Sequence, residues 1–509
     1  MSAIPQGQGV FMHDLKDLFA RYAKRTSMAH KRLVLFLILA GLVLRAWLLL
    51  APITTDEAFA WVHYISRPAS AIVSDLSHPQ NHVLHSLLAR ASVALFGVNS
   101  IALRLPAFLA GVFALPLYYL FVRAMFNRYI ALMALALVAA SGGLIEYSAL
   151  ALGYSLVWFF MVLSLVFGRH FLKSNNPLSA VGMGLSLALC MWSSTSGLYA
   201  ALMVLLWSLF HLLFRHSDSL PARMRYWTLG FGVFFLATLL LYSPIIVAHG
   251  FDQLFHHKDL PDYSWRKFKL VHSEGAMALW FHITDTGARW FSVLGLVGLV
   301  VAAYISGKYR MLAFSMLLGA VVPVLLNRYV PAPAAWMYSL FILHISMAVV
   351  LFYLLKFVQE KLWTGLGKRT RVAGTTLLLL AGTAVPAMRY LLTSDRLPRF
   401  PEAQAAAVYL YGAMEPTDRV YADVPWEDPI KFHLMEKGLD RAVMLGLPPA
   451  GGLLFVVVDP GLGQSPEEVL AMRSVAPARP IDLRVVLDQE RIKIFAARMD
   501  DPAVEKIAR

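Results

Sequence analysis

Two short stretches of this sequence combine residue types suited to proton transfer and anion binding. The first, Thr54-Thr55-Asp56-Glu57, sets two carboxylates side by side ahead of an apolar-rich helical pattern, Ala58-Phe59-Ala60-Trp61-Val62-His63-Tyr64. A carboxylate facing a cavity can take the proton of a reacting hydroxyl as a general base. The same residues also spell a capping box, in which Thr54 and Glu57 exchange hydrogen bonds and acids favour the helix N-terminus. The two readings are compatible: Glu57 caps, and Asp56 is left for chemistry. The second stretch, Ser77-His78-Pro79-Gln80-Asn81-His82-Val83-Leu84-His85, holds three imidazoles. Their i, i+4 and i, i+3 spacings suit a metal on one helix face. Pro79 opposes that, because it holds His78 extended, and no His-Glu-x-x-His or cysteine set lies nearby. The alternatives are donation to a phosphate by His78 and His82, in cationic or neutral form, and a packing role.

Further along, Glu146 and Asp75 compete for the role of a second acid or acceptor-holding group, against the reading of Glu146 as an exposed loop acid. In Asn327-Arg328-Tyr329-Val330-Pro331, Arg328 and Tyr329 are candidates for a lipid phosphate. The competing reading makes them interfacial anchors, with Trp336 and Tyr338 in an aromatic belt. The stretch 249–287 is polar and basic, with His256, His257, Lys258, Asp262, Tyr263, Trp265, Arg266, Lys267 and Lys269. It is read as a solvated loop or an anionic-headgroup partner. Arg45 is expected to snorkel from its helix to the interface.

The elements that must position these groups are membrane-spanning. Of 509 residues 58% are hydrophobic and 15% charged, far oilier than a soluble domain. Disorder, collagen, a disulfide scaffold and a single soluble domain are excluded. The formal charge of +14 sits in short clusters between apolar runs, which argues against nucleic acid. The single cysteine, Cys190, lies in such a run without a partner.

With about 20 residues per span, the candidates are 33–50, 101–122, 129–145, 153–168, 178–195, 197–214, 228–248, 288–306, 311–326, 337–355 and 372–389, about eleven. The first is read as uncleaved, with a cytoplasmic N-terminal segment 1–32 before it. Alternation then puts the clusters Arg123/Arg128, Arg169/Lys173, Arg215/Arg223/Arg225, Lys308/Arg310 and Lys356–Arg371 inside, as the positive-inside rule requires. The loops 52–100, 146–152, 249–287 and 327–336 fall outside, together with everything after 390.

After 390 the apolar runs shorten to strand length: 419–424, 453–459, 483–487 and 492–495. They alternate with helical stretches at 402–414 and 428–437 and a third opened by Ser465-Pro466-Glu467-Glu468. Residues 391–509 are therefore expected to form a small α/β domain on the non-cytoplasmic side, following a transmembrane domain over 33–390 whose first outer loop is 52–100.

The acidic pair after the first span, then His78-Pro79, then Phe96-Gly97 and Arg104-Leu105-Pro106 entering the next span, resembles one known family. The pattern is similar to the integral-membrane GT-C glycosyltransferases, in the family-39-like branch with the protein O-mannosyltransferases and the lipid A aminoarabinose transferase. The layout covers about residues 30–350 and is strongest over 50–125. The resemblance implies a GT-C fold, Asp56 as the base and His78 near the donor phosphate. The chain departs from the pattern twice. Gln80 stands where relatives often have a second proline, and Ala151-Leu152-Gly153-Tyr154 lacks the arginine of an Ala-Arg-Gly-Tyr element.

The expected activity is inverting transfer of a sugar from a polyprenyl-phosphate donor to a lipid, glycan or protein acceptor, at the outer face of a bacterial inner membrane. Cationic side chains beside a leaving phosphate stabilise its developing charge, so catalysis without metal or other cofactor is expected. The rival readings are a transporter or flippase of a lipid-linked sugar and a membrane anchor for the tail. Transporters place ionisable groups near mid-membrane and carry internal repeats; neither is evident here.

Overall fold

The computed structural model describes residues 26–214, 220–255, 263–273, 275–284, 290–393, 397–439, 443, 448–449, 451–472 and 483–498. Most of the expected N-terminal segment, Arg215 and His256, His257, Lys258 and Asp262 lie outside the described residues. The chain divides into two compact units. One comprises the described residues of Met1–Leu49, Ser70–Leu88 and Arg104–Ser394; the other, those of Leu50–Ala69, Ala89–Leu103 and Asp395–Arg509.

The first unit is helical. Ten of the eleven expected spans fall on a single helix each, and polar residues fix several of the ends. Asn127 accepts from Tyr129 N and Ile130 N to start one helix, and Asn176 accepts from Leu178 N and Ser179 N to start another. These caps satisfy amide groups that lack an intrahelical partner. Among the described residues six helices are long and apolar enough to cross a membrane: Ser100–Met125, Tyr154–Ser174, Leu220–His249, Gly307–Asn327, Ser339–Leu362 and Arg369–Leu392. The chain is an integral membrane protein. The helices Pro177–Ser193, Gly197–Leu213 and Phe291–Ile305 are apolar but shorter. Met28–Leu48 has the length and carries Lys31, Arg32 and Arg45.

The span expected at 129–145 is not one straight helix. It breaks into Arg128–Ala139 and Gly142–Ser148, bent by 61°. The break falls at Ala140-Ser141, and it frees carbonyls at the end of the first segment. Arg45 satisfies them. Its Nη1 donates to Ala139 O at 3.2 Å and Gly41 O at 2.9 Å, Nη2 to Val138 O at 3.4 Å, and Nε to Ser148 Oγ at 3.3 Å. With 1% of its surface exposed, Arg45 does not snorkel; it ties the two halves of the broken helix to Met28–Leu48. Arg104 acts similarly, donating from Nη1 to Leu49 O at 2.9 Å, at the end of that helix.

The second unit contains a four-stranded sheet of order β1-β2-β4-β3. The strands β1 (Arg419–Ala422), β2 (Leu453–Val458), β3 (Arg484–Asp488) and β4 (Lys493–Arg498) lie where strand-length apolar runs were expected. β1 and β2 are parallel, joined through the helix Glu427–Glu436, and β4 runs antiparallel to both of its neighbours.

Successive strand residues point to opposite faces. Val420, Ala422, Phe455 and Val457 meet Ala403, Ala407, Leu410, Ile430 and Leu434 from the helices Pro401–Ala413 and Glu427–Glu436. On the other face Tyr421, Leu454, Val456 and Val458 meet Val469 and Leu470 of the helix Pro466–Met472. Burial on both sides explains the unbroken apolar run of β2. The unit also takes in Leu50–Ala69, the segment that carries the acidic pair. Ile53 O accepts from Phe400 N at 3.3 Å, and Thr54 forms an antiparallel bridge with Arg399.

Candidate functional site

The two acids of the pair sit in different environments. Thr54 caps the helix Thr55–Ala60: Glu57 N donates to Thr54 Oγ1 at 3.3 Å, and Glu57 Oε2 accepts from Thr54 N at 3.0 Å and from Thr54 Oγ1 at 3.1 Å. Glu57 is fully buried by this box, whereas Asp56, one position earlier, is exposed. A carboxylate closed in a cap has its lone pairs occupied, and one on the open face of the same turn can meet a substrate. The turn continues as a π-helical stretch, Trp61–Ile65, where His63 stacks on Phe59 at 4.2 Å.

In the first unit, Asp75 closes its own turn. Its Oδ1 accepts from Ser77 N at 2.9 Å and from Ser77 Oγ at 2.6 Å, and Ser77 Oγ lies 3.4 Å from His78 Nδ1. Asp75 thus shapes the turn that leads into His78. His78 itself is half-buried. Asn81, which sequence reasoning passed over, pins the loop from beneath. Its Nδ2 donates to Ile72 O and Asp75 O, and its Oδ1 accepts from Ser86 Oγ.

His82 differs from His78. It is 3% exposed, packed edge-on to Tyr154 at 4.8 Å and hydrogen-bonded to the backbone of Ser193. Burial lowers its pKa to about 4, with the Ser193 bond opposing the shift. The ring is thus neutral at neutral pH, so of the cationic and neutral donor forms considered for a phosphate contact, burial favours the neutral one at His82. A Cβ at Gly153 would lie 2.0 Å from Ser193 O and 2.8 Å from His82 Cβ. Only glycine fits this crossing. The neighbouring Leu152, standing where relatives carry arginine, is buried at 4% exposure; the position serves packing here.

Tyr154 in turn meets Tyr147 at 5.6 Å, next to Glu146. Glu146 is buried at 3% exposure, which corrects the exposed-loop reading, and its Oε2 accepts from Tyr390 Oη at 2.6 Å. The Tyr390 ring lies on Gly142, where a Cβ would stand 2.2 Å from Tyr390 Cγ. His82 and Glu146 are thus brought to one neighbourhood through Tyr154 and Tyr147. Nothing in the sequence around Tyr390, near the end of its helix, marked it as a partner of Glu146.

Arg328 ends the helix Gly307–Asn327 in the left-handed region, at φ 51°. Non-glycine residues adopt this conformation infrequently, at the cost of local strain. Burial raises the pKa of the adjacent Tyr329, with Tyr263 nearby adding to the effect, so its phenol is a neutral donor. Trp336 and Tyr338 are buried at 8% and 1% exposure. Trp336 Nε1 donates to Pro331 O at 3.0 Å and the ring packs on Tyr199 at 4.9 Å. These two are core residues, not a lipid-facing belt. From the basic loop, Trp265–Ser273 forms a short helix on which Arg266, Lys267 and Lys269 are exposed. Among the described residues no group of three or more His, Cys, Asp or Glu side chains is placed to hold a metal ion.

A unit of apolar helices and a unit holding an α/β sheet, with an exposed acid just after the first helix, define the class: an integral membrane protein. Residues 77–243 match the family described as dolichyl-phosphate-mannose-protein mannosyltransferase. Among solved structures, the chain is similar to ArnT from Cupriavidus metallidurans in the apo state, at 15% identity and TM-score 0.58, over 92% of this chain and 98% of that one. The same protein bound to undecaprenyl phosphate matches at 15% identity and TM-score 0.57, over 91% and 97%. The Archaeoglobus fulgidus oligosaccharyltransferase AglB, in complex with an inhibitory peptide and a dolichol-phosphate, matches at 14% identity and TM-score 0.51, over 87% and 71%. No curated protein matches the sequence. The resemblance to the GT-C branch of O-mannosyltransferases and the aminoarabinose transferase holds in both family match and fold.

Proposed function

We propose that the protein transfers a sugar from a polyprenyl-phosphate donor to an acceptor at the non-cytoplasmic face of the membrane, with inversion and with Asp56 as base. The observation that carries this reading is the contrast within the acidic pair: Glu57 is buried in the capping box and Asp56 is exposed. The family match and the fold shared with a protein solved with undecaprenyl phosphate support the donor class.

In the proposed step Asp56 takes the proton of the acceptor hydroxyl and the freed oxygen bonds to the anomeric carbon. The bond from that carbon to the phosphate oxygen breaks on the opposite side, and the lipid phosphate leaves with the electron pair. A single in-line displacement inverts the anomeric centre. Arg328 and His78 would neutralise charge gathering on the phosphate, and such stabilisation is often the largest catalytic contribution. Tyr329 would donate a neutral hydrogen bond, and Glu146 would hold the acceptor. No metal or other cofactor enters this scheme. A bacterial inner-membrane setting, eleven spans with an inward N-terminus and an outward tail complete the proposal.

The test is a panel of radiolabelled polyprenyl-phosphate sugars offered to the purified protein in nanodiscs. Label should move to an acceptor, and Asp56→Asn should stop it. Near-normal turnover by that variant would remove Asp56 as base, and inertness toward every donor would sink the transferase reading.

A further inference from the structure

The candidate base stands on an element that cannot hold its own shape. Thr55–Ala60 is a helix of six residues, continued by the five-residue π-helical stretch Trp61–Ile65. Isolated helices this short are marginal in water because nucleation is unfavourable. The orientation of Asp56 must therefore come from what the segment docks against.

We propose that the C-terminal α/β domain is the holder of Asp56, gripping the segment on both sides of it through Arg399–Phe400, Asp428 and Phe432. This rests on the reading of Asp56 as base. Ahead of Asp56 the grip is backbone: Phe400 N donates to Ile53 O at 3.3 Å, and Arg399 bridges Thr54. Behind Asp56 it is made by side chains. Trp61 meets Phe432 edge to face, with centroids 6.3 Å apart at 89°, a favoured geometry for two aromatic rings. His63 Nε2 lies 3.3 Å from Asp428 Oδ1, and the imidazole is backed by Phe59.

Both partners sit on Glu427–Glu436, the helix that crosses between β1 and β2. The core of the domain fixes that helix, since Ile430 and Leu434 are buried against Val420, Ala422 and Phe455. Ala58, Ala60, Trp61, Val62, Tyr64 and Ile65 are all buried and Asp56 is exposed. The segment thus has a docked face and a working face. The tail is part of the base's support, and Asp428, Phe432 and His63 are positioning residues for transfer.

The test uses the full-length protein in nanodiscs with the radiolabelled donor accepted in the panel above. His63→Gln, Asp428→Asn and the double variant should each lower kcat about tenfold, with donor KM within twofold of the parent and an unchanged melting temperature. The double variant should lose no more than the worse single one, because both break the same contact. Phe432→Leu should behave alike; if it fails to fold, the half-exposed His63 keeps the test open. Unchanged kcat, or losses that follow melting temperature, would overturn the proposal.

A second arm replaces the pair by cysteines, His63→Cys with Asp428→Cys, the native Cys190 being buried. The reduced double-cysteine protein should show the same roughly tenfold loss and the bridged form should regain most of the parent's kcat; a bridged form no more active than the reduced one would overturn the proposal. The two readings fail separately. Full kcat in the Asp428 and His63 variants alongside a dead Asp56→Asn protein would refute the holder alone. An active Asp56→Asn protein would refute the base assignment whatever the tail variants do.

Discussion

Tyr390 Oη lies 2.6 Å from Glu146 Oε2 across 244 residues of sequence, with both side chains buried. The bond joins the late helix Lys368–Thr393 to the short helix after the break, and the tyrosine ring fits only because residue 142 is glycine. A buried hydrogen bond to a carboxylate is worth about 1.5–3 kcal/mol. Tyr390→Phe should therefore lower stability by about that amount, read from thermal unfolding in detergent. Gly142→Ala should do at least as much by displacing the ring. A Tyr390→Phe protein that melts with the parent would mean that Glu146 is satisfied without it.

Arg45 makes a prediction of a different kind. Its guanidinium donates to three carbonyls and a hydroxyl around the bend, and the planar fork with five N–H groups is what allows this spread. Arg45→Lys keeps the charge but loses the fork, and Arg45→Met keeps much of the volume and leaves the carbonyls bare. Both should destabilise, Met by about 2–3 kcal/mol, and both should lower protein yield. Full rescue by lysine would show that charge alone matters at this position.

The contrast between these two contacts shows what the sequence could and could not disclose. Long apolar runs place the helices, because membrane helices must satisfy their backbone internally and be clad in apolar side chains. The alternation of short β-branched runs with helical stretches located all four strands to within about three residues. The capping box of Thr54 and Glu57 was legible too, since its contacts are local. What stayed hidden is long-range. The bend at Ala140-Ser141 needed no proline, and its stabiliser Arg45 lies more than ninety positions upstream. The docking of residues 50–69 with the tail joins segments more than three hundred positions apart, and no periodicity records it.

The acidic pair offers a direct comparison between neighbours. Glu57→Ala should cost about 1 kcal/mol through loss of the cap, with transfer reduced in proportion to the folded fraction. Asp56→Asn should leave the melting temperature in place and stop transfer. Both are read from one pair of measurements, unfolding and turnover on the same preparation. Reversed outcomes, with Glu57→Ala folded but dead and Asp56→Asn active, would move the base to Glu57.

His82 sets a pH dependence whose sign follows from its environment. Its pKa is lowered to about 4 in the folded protein, from an ordinary 6.5. Above pH 6.5 the imidazole is neutral folded or unfolded, and its contribution to stability is fully present. As pH falls from 6.5 to 4 the unfolded chain takes up a proton that the folded one refuses, so stability is lost across that window. A shift of this size corresponds to about 3 kcal/mol at the acid end. The parent should therefore melt progressively lower between pH 6.5 and pH 4.5, and His82→Gln should flatten that slope while being less stable at pH 7.5. Melting curves of the two proteins with the same acid slope would show that His82 protonates as readily folded as unfolded, and that its burial against Tyr154 and Ser193 opens in solution.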